Sequence, residues 1–97
     1  MSHKHETLLK AIFHDPISGN IHWRDVESLL RHLGAEVESH AGTKVHVTLH
    51  GREGVLHRPH HSSSLDREGV RHLRELLARS GVTPSLYEQR KENDKGG

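Results

Sequence analysis

Apolar residues recur along this chain with two different periods, and the change of period marks where helix gives way to strand. Between His5 and His14, Leu8, Leu9, Ile12 and Phe13 stand three and four apart, the stripe of a short amphipathic helix. Pro16 and Gly19 end it. Turn residues Ser18-Gly19-Asn20 lead to Ile21, Trp23, Val26, Leu29, Leu30 and Leu33, which share one face of a second helix closed by Gly34 as a left-handed cap. Past Gly34 the period becomes two. Ala35 and Val37, then Val45, Val47 and Leu49 beyond the polar turn Ser39-His40-Ala41-Gly42, predict a half-buried hairpin. His50-Gly51-Arg52-Glu53-Gly54 reads as the next turn, and Val55 to Arg58 as a short third strand stopped by Pro59, which has no N–H to donate. Val70, Leu73, Leu76 and Leu77 form a third helical stripe ending at Gly81, capped by Ser64 or Asp66.

The expected fold class is therefore α+β, in the order α-α-β-β-β-α. Three antiparallel strands bury one face under helices and leave the other in water. A single domain spans residues 1–82, and the charged run from Thr83 to Gly97, with no apolar period, reads as a disordered tail. A length of 97 residues with 31% hydrophobic positions supports one modest core and no second domain. No run approaches the roughly 18 apolar residues of a membrane span, and Met1-Ser2-His3-Lys4-His5 lacks the apolar centre of a secretory signal, so the expectation is a cytoplasmic protein with no membrane partner. Cysteine is absent, which excludes disulfides, thiol nucleophiles and thiolate zinc sites.

Alternation along the second strand directs Val45, Val47 and Leu49 to the helices and Lys44, His46, Thr48 and His50 to the open face. Over residues 42–74, Lys44, Arg52, Arg58, Arg67, Arg71 and Arg74 face Glu53, Asp66 and Glu68, a net +3. Half of the twelve histidines fall in the same window: His46, His50, His57, His60, His61 and His72. Cations that neutralise phosphate beside imidazoles that move protons near neutral pH suit a polyanion, and RNA is the natural one. The bland alternative is a solvated, charged outer sheet face. A third possibility is metal binding by His57, His60 and His61, which lie within five residues but without a carboxylate or thiol. His46 and His50 stand roughly 13 Å apart along a strand and cannot share one ion. Ser62, Ser63 and Ser64 lack the glycine-flanked elbow and acidic partner of a serine nucleophile, and Trp23 reads as core or core edge.

Three stretches resemble the HicA toxins of type II toxin-antitoxin systems: Leu29-Leu30-Arg31-His32-Leu33-Gly34-Ala35, Gly42-Thr43-Lys44-Val45-His46-Val47, and Gly69 to Val82. The resemblance covers residues 23–82, so residues 1–22 with their own helix form an N-terminal extension. It implies a fold like double-stranded-RNA-binding domains, ribonuclease activity on mRNA without cofactor or metal, and a protein partner, an antitoxin of the HicB kind. In that family a glycine-serine-histidine run opening the second strand supplies the catalytic histidine. Here those three places are Gly42, Thr43 and Lys44, so proton transfer passes to His46, two residues on and on the same strand face.

The expected catalytic residues are accordingly His46 and, if its side chain reaches the same face, His57. Thr43, Lys44, Thr48, His50, Arg58 and His60 are the expected RNA contacts. The rival expectation, favoured by lysine at the family's histidine position, is an RNA-binding or protein-interaction domain without catalysis.

Overall fold

The computed structural model describes residues 3–40, 42–59 and 63–84. The order is α1 (His3–Ile12), α2 (Trp23–His32), β1 (Glu36–Ser39), β2 (Lys44–Leu49), β3 (Arg52–His57) and α3 (Arg67–Arg79). This is the expected α+β architecture, with a three-stranded antiparallel sheet in the order β1-β2-β3. Packing of α2 on β1, of α3 on β3, and of α1 on both helices puts all the helices on one face. Of the sequence-expected tail, residues 85–97 lie outside the described residues.

The core follows from the two periods. Leu9 and Ile12 of α1, Val26, Leu29 and Leu30 of α2, and Val70, Leu73, Leu76 and Leu77 of α3 meet Val45, Val47 and Leu49 of β2 and Leu56 of β3. Each is at most 2% exposed. Such burial is worth roughly 1.5–3 kcal/mol per large aliphatic side chain, so the stripes of these short helices rather than their intrinsic propensity hold them in place. Trp23 is half-buried at the edge of this core, as its place in the second stripe suggests.

Both long-stripe helices end alike. Gly34 and Gly81 have φ of +87° and +76°, and the following amides reach back to Leu30 and Leu77, the bond pattern of a Schellman cap. Asp66, not Ser64, caps α3, its carboxylate accepting from the Gly69 amide at 2.7 Å. Ser64 instead forms a β-bridge with His22, and the Leu65 amide donates to the Ile21 carbonyl, pinning the segment before α3 to the start of α2.

The second hairpin is tighter than its sequence suggests. The turn uses only His50 and Gly51, both at positive φ (52° and 79°), and Arg52 already pairs with Leu49. A two-residue turn of this hand matches strand twist, so β3 begins at Arg52 and takes in Glu53 and Gly54, which by composition read as turn. Gly54 faces inward, where a Cβ would stand 3.0 Å from Leu76 Cδ1, and its bareness lets α3 lie close on β3.

Candidate active site

Burial alternates strictly along β2, leaving Lys44, His46 and Thr48 on the face opposite the helices. Register with β3 places His57 directly across from Lys44 and Val55 across from His46. His57 therefore does reach the open face, diagonal to His46 at about 7–8 Å by ordinary sheet geometry. The same end is tied together by Arg58, whose amide donates to the Thr43 carbonyl at 2.8 Å and whose guanidinium donates to the Gly42 carbonyl at 3.3 Å. Thr43, Lys44, His57 and Arg58 are thus neighbours, and Lys44 has no ion pair among the described residues.

On the other side of His46 stands β1. Glu38 is its cross-strand partner, and the ring of His40 meets that of His46 edge-on, with centroids 5.9 Å apart and planes at 83°. Glu38 Oε2 lies 3.9 Å from His40 Nε2. His40, Lys44, His46 and Val55 surround one shallow hollow in the open face. A second groove runs between β3 and α3, lined by His57, His72, Glu75 and Arg79, and Val55 forms the rim between the two. Val55, 38% exposed, is the large apolar side chain left in solvent among the described residues.

The expectation of a uniformly basic face holds at one end only. Thr48 lies between Glu36 of β1 and Glu53 of β3, so the end of the face away from Lys44 is acidic. Nor does Arg74 of α3 join the sheet face. Arg74 is engaged with α1, donating to the carbonyls of Ile12 and His14. His50 leaves the open face altogether, because its left-handed backbone turns the ring toward α3, where Nδ1 donates to the Ser80 carbonyl at 2.9 Å. The Ser80 hydroxyl in turn donates to the Leu49 carbonyl at 3.2 Å, locking the hairpin tip to the helix end. His50 is a structural residue of the turn and stands apart from His46.

His60, expected to touch RNA, lies outside the described residues, as does His61, so the three-imidazole metal reading falls there too. Among the described residues no group of three His, Asp or Glu is arranged to hold a metal. Ser63 is engaged in structure, its hydroxyl 3.1 Å from His22 Nδ1. No helix among the described residues is long and apolar enough to cross a membrane.

Sequence reading missed His40 and Glu38, and with them the second imidazole of the hollow. The signal was present: carried one step beyond Val37, the alternation of β1 puts 36, 38 and 40 on one side. What the arrangement offers chemically is two imidazoles, side chains able to give or take protons, beside an ammonium with no ion pair among the described residues that can hold an anion.

Comparison with curated proteins and with solved structures gives no match. A profile of the family described as HicA toxin of bacterial toxin-antitoxin systems matches residues 23–82, from the first residue of α2 through the cap of α3. That span is more than half of the chain and contains the whole open face, and the chain belongs to the HicA toxin family of bacterial toxin-antitoxin systems.

Proposed function

We propose that this toxin is a metal-independent ribonuclease that cleaves mRNA in the cytoplasm by histidine acid-base chemistry on the open sheet face. The observation that carries the reading is the hollow in which His46 and the unpaired Lys44 sit side by side, on a chain of this family. The RNA 2′-hydroxyl attacks the adjacent phosphorus while an imidazole accepts its proton. The P–O5′ bond breaks as a second imidazole protonates the leaving oxygen, giving a 2′,3′-cyclic phosphate and a 5′-hydroxyl. Lys44 and Arg58 stabilise the charge that builds on the phosphoryl oxygens. His46 is the principal proton carrier, and His57, across from Lys44, is the second imidazole that the sequence offers. Thr43 belongs to the same end of the face, whereas Thr48, between two glutamates, contacts RNA only beyond that end.

An antitoxin of the HicB kind would silence such a site by covering the face, and exposed Val55 at the rim gives it an apolar contact. Lysine at the family's histidine position favours a second reading, an RNA binder that does not cut.

Incubation of end-labelled RNA with wild type and His46→Ala in chelator tests both. Cleavage by the wild type, reduced at least 100-fold in the variant, is expected from removal of one acid-base group. A loss below twofold would sink the role of His46. Salt-sensitive binding of intact RNA by both proteins would establish the non-catalytic reading, since phosphate contacts release counterions whether or not the strand is cut.

A further inference from the structure

We infer that His40, beside Glu38, is the second proton-transfer residue of the hollow, the partner of His46. The inference rests on the ribonuclease reading and gives the second imidazole a different identity from His57. An in-line displacement has its attacking and leaving oxygens on opposite sides of one phosphorus, so acid and base must approach a single phosphate from different directions. His40 and His46 line the same hollow as Lys44, their centroids 5.9 Å apart and their ring planes at 83°, so two differently oriented imidazoles open on one site. His57 faces the same way as Lys44 but lines the other groove, beyond Val55, beside His72 and Arg79.

Glu38 supplies what a general acid needs. Its carboxylate lies 3.9 Å from His40 Nε2, within reach to serve as counter-charge to the imidazolium. The other ring nitrogen, Nδ1, remains for the substrate. In the forward step His46 takes the 2′-hydroxyl proton, the O2′–P bond forms, the P–O5′ bond breaks, and His40 gives its proton to O5′. Each imidazole ends in the other's starting state, and a water-borne proton exchange restores both. The charged and titratable groups facing the pair are Glu38 from β1, Lys44 from β2 and His57 from β3.

The test uses the full chain, a short end-labelled RNA and rates from pH 5 to 8. Wild type should give a bell-shaped profile with a cyclic-phosphate product. His40→Ala should lower the maximal rate at least 100-fold, lose the alkaline limb that reports the acid, and regain activity with added free imidazole. Glu38→Gln, which removes the counter-charge beside His40, should lower the maximal rate, but by less than His40→Ala. Glu38 and His40 are exposed, so melting temperatures of their variants should match wild type and separate chemistry from folding. A His40→Ala protein that keeps both limbs within tenfold of the wild-type rate overturns this assignment and leaves the ribonuclease reading standing. Intact RNA with wild type overturns both.

Discussion

Replacing Arg74 by methionine tests how the extra N-terminal helix is attached to the family fold. Arg74 stands on α3, inside the family match, and α1 lies outside it. Its guanidinium donates from Nε to the Ile12 carbonyl at 2.5 Å and from Nη2 to the His14 carbonyl two residues further on, which places a cation at the C-terminal end of α1. Hydrogen bonds of a charged donor each contribute roughly 1.5–3 kcal/mol, and a side chain 21% exposed keeps part of that against water. We expect Arg74→Met, which keeps the aliphatic stem, to cost about 3 kcal/mol. At about 4 °C per kcal/mol for a domain of this size, Tm falls by roughly 12 °C. Urea melts followed by the fluorescence of Trp23, the chain's single tryptophan, and by circular dichroism measure the loss. Asp15 Oδ1 lies 3.4 Å from Nη1 but its side chain is 86% exposed, so Asp15→Asn should cost less than about 0.5 kcal/mol. An Arg74→Met loss below 1 kcal/mol would show that the other contacts of α1, led by buried Leu9 and Ile12, hold it without Arg74, and an Asp15→Asn loss as large as that of Arg74→Met would place the strength in the ion pair instead.

Two further outcomes follow from packing and titration. Gly54→Val drives a branched side chain into Leu76, whose Cδ1 already stands 3.0 Å from the position of a Cβ, and should cost about 1–3 kcal/mol with partial rescue by Leu76→Ala; equal melts for Gly54→Val and wild type would refute the close approach of α3. His5 has its pKa lowered from the ordinary histidine value, first by burial and then by the neighbouring His32 and Lys4, so its proton binds the unfolded chain more readily than the folded one. Its contribution to stability is therefore fully present above the unfolded value of about 6.5 and is lost as pH falls from there through the lowered value in the fold. His5→Gln should flatten stability against pH between 7 and 5.5, whereas an unchanged slope in urea melts would show that this ring does not carry the dependence.

Much of the fold is legible in the sequence because burial is periodic. The stripes of α2 and α3, the two Schellman glycines and the inward residues of β2 each carry their own local signal. The start of β3 does not, because Arg52-Glu53-Gly54 reads as turn by composition and only pairing with Leu49, Thr48 and Val47 makes it strand. The outward orientation of His57 was likewise a matter of register, which one residue of slip reverses. His50 obeys the alternation in sequence and escapes it in space, since a left-handed residue ends the pleat. The engagement of Arg74 with α1 joins residues some sixty positions apart, and no local pattern announces it.

The charge of the open face shows why a sequence window and a surface differ. Counting from residue 42 gathers the cations of β2, β3 and α3 but omits β1, whose Glu36 and Glu38 stand beside Thr48 and His46. Of the arginines so counted, Arg74 goes to α1, while Arg58 stays at the Lys44 end on the Gly42 carbonyl. What survives is a gradient along β2, from Lys44, His57 and Arg58 at one end to Glu36, Thr48 and Glu53 at the other. A polyanion lying along β2 would meet three glutamates within one strand length. Laid across the strands at the Lys44 end, it meets the hollow and then, over Val55, the groove with His57, His72 and Arg79. On the proposed reading RNA therefore crosses the sheet rather than following its central strand. Moving the imidazole from position 44 to position 46 carries it one pleat along that strand, about 7 Å, into contact with His40. On the proposed reading lysine at position 44 supplies the cation, and His46 of β2 and His40, just past the end of β1, supply the protons.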